Sequence, residues 1–416
     1  MKQSLLFFAL ILFIPSLSLS QDTDFNETIS VYLDCRGCNA NFVRTEIQFI
    51  NFVRDQADAE VHLLVTLQQT GSGGWEHTLN YMGMGIFNDQ TKEIKFISPE
   101  SDTNAMMRNR LVKYIKLGLV SFLTDKDILS SLNLSFTGIR SSAQKSNGKD
   151  PWNSWVFKIG ASTNFSGEQT KKYNRMNGSF DARRITDKWK INFNYNQNYN
   201  RQVFTSIDDD GNENKDIYIT ENKNFFGLQA LSLSDHWTVG AYQRVRSSTQ
   251  NNIDLSVGAT PSIEYSVFPY REYTRREITF RYGVLGSHYN YTEPTIYDKE
   301  EEFLWRQELN VRADFTQPWG GVYGWLDAGM YMHDLSKNRV NFGLQFNMKI
   351  TRGLSMFFSA RYSLINDQIS LPAGDISEEE RLLNLRQQPT SYTYGGSVGF
   401  EFNFGSIYNN VVNSRF

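Results

Sequence analysis

The chain has 416 residues, which is enough for two or three folded units. Its mean hydropathy of −0.46 is too polar for a bundle of membrane helices. The formal net charge of −3 argues against a nucleic-acid-binding protein, because such proteins carry a basic excess. We therefore expect no nucleic-acid partner.

The first 20 residues have the pattern of a secretory signal peptide. Met1 and Lys2 give a charged start, residues 5–14 are apolar, and small residues precede Gln21. An uncleaved anchor is the alternative, but the apolar run is too short to span a bilayer comfortably. We predict cleavage of residues 1–20 and export of the chain. No later stretch of 18 apolar residues exists, so any later membrane crossing must use strands.

Residues 21–139 are predicted to form a small α+β domain. Alternating apolar residues and turn signals predict strands at residues 29–33, 61–65, 75–87 and 93–97. The Gly-rich segment Thr70–Gly74 lacks the Gly-Lys-Ser/Thr ending of a phosphate loop and is predicted to be a hairpin turn. A helix capped by Ser101 and Asp102 follows. Its apolar residues recur at helical spacing, at Met107, Leu111, Ile115 and Phe122.

Cys35 and Cys38 are the only cysteines. In an exported protein such a pair is a structural disulfide or a redox motif, and free or metal-binding thiols are a third possibility. A redox pair is expected at a helix N-terminus, which a helix beginning near Asn41 would permit. Asn39 stands where haem attachment would require His. We predict a structural disulfide that matters only to the N-terminal domain.

Residues 140–153 are small and polar, and they are predicted to be a linker. Beyond it, Trp189–Asn200 alternates strictly between apolar and polar residues, as a strand wet on one side only does. About twelve such runs lie between residues 154 and 404, and tight turns alternate with long polar loops. This pattern predicts an all-β transmembrane antiparallel barrel of about 12 strands, with the short turns in the periplasm and a tail at residues 405–416.

The inward positions of the predicted barrel carry charges of both signs. The densest cluster lies on one strand, at Arg306, Glu308, Arg312 and Asp314, and the strand before it adds Glu277 and Arg281. We predict that these six residues form a charge network in the lumen. A barrel of this size lies between side-chain-filled barrels and open porins. A narrow or plugged lumen and a passage for small solutes therefore both stay open.

Other motifs favour structural interpretations. Residues 206–214 resemble a calcium loop, but Ile217 stands where an EF-hand needs its bidentate acid, so a plain acidic loop is favoured. The five histidines show no paired metal spacing. Ser287 and His288 are adjacent on one strand and point to opposite faces, so they cannot act as nucleophile and base. We predict no catalytic residue, metal or cofactor.

The C-terminal sequence G-F-E-F-N-F-G-S followed by I-Y-N-N-V-V-N-S-R-F, the aromatic strands and the signal peptide resemble the outer-membrane β-barrel proteins common in Bacteroidota. The segment D-A-E-V-H-L-L-V-T, the Gly-rich hairpin and the long helix are similar to small α/β periplasmic modules such as the amino-terminal domain of TolB. These resemblances imply a Gram-negative outer membrane and a periplasmic N-terminal domain. Neither carries functional residues across.

Two functions of different class follow. In the first, the protein is a membrane-anchored assembly or scaffold component, because a simple pore does not need a folded periplasmic domain. In the second, the barrel is a narrow passive channel for small polar solutes. An outer-membrane enzyme is the least favoured alternative. The expected partners are outer-membrane lipid and lipopolysaccharide, and a periplasmic protein bound by the N-terminal domain.

Overall fold

The computed structural model describes residues 28–35, 37–71, 73–123, 150–207, 211–374 and 377–408. The predicted signal peptide, most of the predicted linker and the end of the predicted tail lie outside these ranges. Within them, none of the helices has the length and apolar character needed to cross a membrane.

The described chain forms two β-sheets. The first contains β1 (Ser30–Cys35), β2 (Asn51–Val53), β3 (Val61–Gln69), β4 (Trp75–Gly83) and β5 (Thr91–Ser98), accompanied by helices α1 (Ala40–Glu46) and α2 (Asn104–Leu119). The second contains β6 (Trp155–Gly167), β7 (Lys171–Ile185), β8 (Trp189–Ile207), β9 (Glu213–Ser232), β10 (Trp237–Ser248), β11 (Ile253–Ser266), β12 (Arg276–Tyr291), β13 (Glu301–Gln317), β14 (Gly320–Tyr331), β15 (Asn338–Thr351), β16 (Leu354–Ile365) and β17 (Tyr392–Phe402). A short helix, α3 (Glu378–Leu382), lies in the loop between β16 and β17.

The small sheet has the order β2-β1-β3-β4-β5, with β1 parallel to β2 and β3 and the other pairs antiparallel. The first six residues of β3 are all buried, because both faces of this central strand are covered. Helix α2 contacts β4 and β5, and its apolar stripe joins one core with residues of the sheet. The predicted small α/β domain is therefore present.

Two details of this domain differ from the sequence-based prediction. Thr103, and not Ser101 or Asp102, caps α2, with its Oγ1 accepting from the amide of Met106 at 3.3 Å. Asp102 instead forms an ion pair with Arg110, with 2.9 Å between Asp102 Oδ2 and Arg110 Nη1. Helix α1 begins at Ala40, close to the position near Asn41 that the sequence permits. The structure adds the three-residue strand β2, which is too short for periodicity to reveal.

His77 on β4 lies in an aromatic stack inside this domain. Its ring stacks on Phe96, which stacks in turn on Tyr114, and its Nε2 lies 2.7 Å from the Ser98 hydroxyl. Burial, and to a lesser extent the nearby positive charge of Arg110, lowers the pKa of His77 to about 4. The imidazole is therefore neutral at pH 7.

The large sheet is a twelve-stranded antiparallel meander, in which each strand pairs with its neighbours in sequence from β6 to β17. The predicted number of strands is confirmed. In the described ladder, β6 and β17 each have a partner on one side only. Closure of the sheet into a barrel therefore stays a prediction.

The strand register separates the side chains into two faces. Large apolar residues on one face are exposed, among them Phe157, Phe280, Trp305, Phe342 and Phe400. The opposite face carries the charged and amide side chains. This opposite face is called the interior face below.

The connections at one end of the meander are mostly tight turns, and the longest loop lies at the other end. The predicted alternation is incomplete, because the β11–β12 connection at the tight-turn end has nine residues and the β6–β7 connection at the other end has three. At one end, β15 and β16 are joined by Arg352 and Gly353 alone. At the other end, the loop of residues 366–391 between β16 and β17 folds back onto the sheet. Ile369 is buried against Leu304 and Tyr331. The backbone of Ile296 also donates to the carbonyl of Leu371 at 2.8 Å, so the loop is attached to its neighbour.

Candidate functional site

The register places the six residues of the predicted charge network on the interior face of β12 and β13. Glu277 lies opposite Asp314, and Arg281 lies opposite Asn310. Arg306, Glu308 and Arg312 follow at alternate positions of β13. The six do not all meet at one point. Arg306 and Glu308 line one cavity, Glu277 lines a second, Arg281 and Arg312 line both, and Asp314 lines neither.

The first cavity lies under the loop of residues 366–391 and is called the loop-side chamber. Its volume is about 590 Å³, and Gln368, Ser370 and Gln387 of the loop form part of its wall. Six arginines line it: Arg244, Arg246, Arg281, Arg306, Arg312 and Arg339. Three carboxylates line it as well: Glu308, Asp327 and Asp367. The chamber walls therefore carry a formal excess of three positive charges.

Ion pairs and hydrogen bonds cross this chamber between strands that are not neighbours. Arg244 on β10 binds Glu308 on β13 in bidentate fashion, at 3.0 and 3.2 Å. Arg281 on β12 donates to the Tyr242 hydroxyl on β10, and its guanidinium lies 4.4 Å from the ring centroid of Tyr242. Arg281 also donates to Asn310 on the neighbouring strand β13, at 3.1 and 2.7 Å. The Arg244–Glu308 and Arg281–Tyr242 contacts therefore join strands that are not neighbours across the interior face.

Asp367 is the site residue that sequence reasoning missed. It lies in the long loop, where no alternating pattern marks the direction of a side chain. Its carboxylate is almost fully buried, and it accepts from Arg339 Nε at 2.7 Å and lies 3.3 Å from Arg306 Nη2. The Nε of Arg306 is buried without a hydrogen-bond partner in the described chain. The loop thus supplies one carboxylate to two arginines and leaves one donor unsatisfied.

The second cavity lies at the tight-turn end and is called the domain-side chamber. Its volume is about 1250 Å³. Glu264 and Glu277 line it from the large sheet, and residues 67–71 and Glu76 line it from the β3–β4 hairpin of the N-terminal domain. Tyr273 lies in the turn before β12. Burial, with smaller effects of the Glu76 and Glu277 charges, raises the pKa of Tyr273 to about 12. The hairpin therefore lies across this end of the interior.

Arg244, Arg281 and Arg312 line both chambers. The sequence-based prediction placed Arg281 and Arg312 in one network with Glu277 and Arg306. In the structure, Arg281 and Arg312 instead lie between the two cavities. Glu277 belongs to the domain-side chamber and Arg306 to the loop-side chamber.

The interior face of β7–β9 differs from the arginine-lined wall, because it carries amides. Asn194 donates to Asp181 at 2.5 Å, Asn200 donates to Asn198 at 2.7 Å, and Asn198 is hydrogen-bonded to Asn177. Asn177 and Asn198, with Asn196, Asn222 and Asn224, line a cavity of about 380 Å³. The interior face is therefore rich in amides on β7–β9 and rich in arginines around the loop-side chamber.

The N-terminal domain contacts the tight-turn end of the large sheet through a surface called the docking interface. Tyr32 and Val53–Asp58 form it on the domain, and Lys349, Arg352, Gly353 and Ile407–Tyr408 form it on the other side.

Three kinds of contact hold the docking interface. The Gly353 amide donates to Asp55 Oδ2 at 2.5 Å, and Arg352 forms an ion pair with Asp58. The backbone of Arg54 donates to the carbonyl of Ile407 at 2.9 Å. The Lys349 ammonium lies 3.4 Å from the ring centroid of Tyr32.

Asp55 experiences opposing effects at this interface. Burial by itself raises its pKa. Hydrogen bonds from the amides of Ala57 and Gly353 and the charges of Lys349 and Arg352 lower the pKa by more, so the net shift is downward. The carboxylate is therefore ionised near neutral pH and suited to hold the positively charged turn.

The predicted disulfide between Cys35 and Cys38 is confirmed, and it lies at the end of β1 in the N-terminal domain. In the described part of the chain, no group of three or more His, Cys, Asp or Glu side chains could hold a metal ion. The acidic loop of residues 206–214 is described only in part, because residues 208–210 lie outside the described ranges.

Comparisons with known proteins give little further information. No family model matches the chain, and no curated protein matches it. Among solved structures, the chain is similar to the NanC porin in a rhombohedral crystal form, with 10% sequence identity and a TM-score of 0.28. The match covers 60% of this chain and 100% of the porin chain. A TM-score this low does not establish a common fold.

Proposed function

We propose that the protein is an outer-membrane β-barrel that anchors a periplasmic α+β domain at its periplasmic mouth and serves as an assembly or scaffold component. The docking interface is the observation that carries this proposal. Its contacts join the domain to the tight-turn end of the sheet, which faces the periplasm in outer-membrane barrels. An anchored domain held in one orientation presents its remaining surface to a periplasmic protein.

The outward face of the large sheet supports the membrane location. Phe280 on β12, Trp305 on β13 and Phe342 on β15 project from this face and are each more than two-fifths exposed. A soluble protein rarely exposes an apolar surface of this extent, whereas lipid and lipopolysaccharide would cover it. In the proposed barrel, β6 and β17 pair with each other, since an open edge in lipid would leave backbone groups without partners.

Membrane location and barrel closure are tested together by fractionation and heat-modifiable gel migration. A closed barrel stays compact in detergent until it is boiled, so unheated protein from outer membranes should migrate faster than boiled protein. A soluble periplasmic protein without this shift would contradict the proposal.

The scaffold role is tested at the docking interface with full-length protein. Arg352→Glu places like charges opposite Asp58 and should release the domain, and the charge swap Arg352→Glu with Asp58→Arg should restore docking. A periplasmic partner that co-purifies with the wild type and is lost on deletion of residues 21–139 would support the proposal. If binding of the partner depends on the docked orientation, the amount of co-purified partner should fall in Arg352→Glu and return in the charge-swapped double variant. If the wild type captures no partner while its barrel is intact, the scaffold role is wrong.

A narrow channel for small polar solutes is the second candidate, and the two chambers favour it. The interior holds cavities of about 590 and 1250 Å³ that share the partition formed by Arg244, Arg281 and Arg312. The loop of residues 366–391 lies at one end and the N-terminal domain at the other. These obstructions make the scaffold role the preferred one.

Conductance in planar bilayers separates the two candidates. Under the scaffold proposal the full-length protein is silent. Steady conductance of the wild type that grows when Arg306 and Arg312 are replaced by Ala would favour the channel. The Arg352→Glu variant shows whether the docked domain is itself the obstruction.

A further inference from the structure

The loop-side chamber contains more positive charge than its own carboxylates balance. Glu308 is engaged by Arg244, and Asp367 is shared by Arg306 and Arg339. No ion pair joins Arg246 to a carboxylate of the described chain, and its side chain remains accessible on the interior face. Like charges held together in a narrow space repel each other, so this excess of positive charge favours the binding of an anion.

A second observation also points to an anionic ligand. The Nε of Arg306 is buried and has no hydrogen-bond partner in the described chain. A buried donor without a partner costs about 1–3 kcal/mol. Gly329 leaves the space that the Arg306 guanidinium occupies, because a Cβ at this position would collide with it. The guanidinium is thus held at the chamber wall with an unused donor.

Asp367 shows how the chamber holds an anion. Its two oxygens lie 2.7 Å from Arg339 Nε and 3.3 Å from Arg306 Nη2. This carboxylate comes from the loop and not from a strand, so it occupies part of a basic site that the strands have already built. Guanidinium groups bind carboxylate and phosphate oxygens in the same fork geometry.

We propose that the loop-side chamber binds a small multivalent anion bearing carboxylate or phosphate groups, and that Asp367 competes with this anion for Arg306 and Arg339. A volume of about 590 Å³ lies within the size range of small-molecule sites. The site is distinct from the docking interface and goes beyond the anchoring role. It requires only that the large sheet holds its arginines together.

The test measures equilibrium binding to full-length protein in detergent micelles, by dialysis at low ionic strength, where screening is weak. Labelled citrate and labelled inorganic phosphate are the two anionic probes, and labelled glucose is the uncharged one. We expect at least one anion to bind and glucose not to bind. The anion that binds identifies a carboxylate or a phosphate site, and binding of neither anion would overturn the proposal.

The variants Arg246→Gln and Arg306→Gln should each weaken anion binding by about tenfold, which corresponds to about 1.4 kcal/mol. Arg175→Gln is the matched control. Arg175 lies on the interior face of β7, donates to Asn200 at 2.8 Å, and lines neither chamber. Binding by this control should stay within about twofold of the wild type, because Arg175 contributes no donor to the loop-side chamber. An equal loss in all three variants would mean a diffuse effect of charge and would refute a built site.

Asp367→Asn gives the sharpest outcome, because it removes the competing charge and keeps the side-chain size. It should tighten anion binding several-fold, whereas a purely structural Asp367 would leave binding unchanged or weaken it. Heat-modifiable migration of every variant establishes that the barrel is folded. Loss of that migration in the wild type would contradict the proposed membrane barrel, and absence of anion binding by a heat-modifiable protein would contradict only the anion site.

Discussion

Replacement of Asp55 by Ala is expected to release the N-terminal domain from the large sheet. The substitution removes the acceptor of the Gly353 amide, a hydrogen bond of 2.5 Å between the two parts of the chain. Hydrogen bonds to charged groups contribute about 1.5–3 kcal/mol. Because Asp55 is only partly buried, we take about 2 kcal/mol, a change of roughly 30-fold in the docking equilibrium. Asp55→Asn keeps an acceptor and should lose about half as much.

A cross-link between Gly71→Cys and Ile185→Cys measures docking directly. A Cβ at Gly71 would lie 2.8 Å from the Cβ of Ile185, which is closer than the roughly 3.5–4.5 Å of a disulfide, so the two segments must separate slightly for the bond to form. The two introduced thiols still meet only when the domain is docked. The urea concentration at which cross-linking is lost gives the free energy of undocking. Far-UV circular dichroism separates undocking from unfolding of the domain.

The pH dependence provides an independent check on Asp55. Its pKa is lowered in the docked state, so its contribution is complete above the undocked pKa, near 3.8, and is lost as the pH falls through the docked pKa. Wild-type docking should therefore weaken below about pH 4, and Asp55→Ala should lack this component. If Asp55→Ala docks as tightly as the wild type at pH 7, the domain is held by other contacts and the reasoning is refuted.

Three further predictions concern the N-terminal domain alone. Because His77 stays neutral in the folded domain, it should contribute up to about 3 kcal/mol to the free energy of unfolding above pH 6.5, and this contribution should be lost as the pH falls toward 4. The free energy of unfolding of His77→Gln, measured in urea, should lack this pH dependence. Gly118→Ala should destabilise the domain by about 2–4 kcal/mol in the same assay, since the new methyl group collides with the buried ring of Tyr81. Replacing Cys35 and Cys38 by Ser should lower the free energy of unfolding of the domain by about 2 kcal/mol, the loop-closure entropy of so short a loop, and should leave heat-modifiable migration intact. A lost gel shift would contradict the prediction that the disulfide matters only to this domain.

Much of the architecture could be predicted from local pattern. A strand exposes alternate residues to opposite faces, so the alternation of Trp189–Asn200 predicts both the strand and the side on which its asparagines lie. The same rule places Arg306, Glu308 and Arg312 on one face of β13 before any partner is known. Short elements such as β2 carry too few residues for a period to emerge, and neighbouring strands decide them.

The composition of the site depended on contacts that no local pattern encodes. Arg244 and Glu308 are 64 residues apart, and the sheet must bend to bring them within 3.0 Å. Asp367 lies in an irregular loop, and the burial of Ile369 beside it turns its carboxylate toward the arginines.

The sequence by itself determined the strands, the polarity of their two faces and the cysteine pair, because each depends on a few adjacent residues and on the fixed period of the backbone. Only the tertiary structure decided the partition into two chambers and the docking of Asp55 on Gly353, 298 residues away. Such contacts depend on the stagger and curvature of the whole sheet, which are collective properties of all its strands.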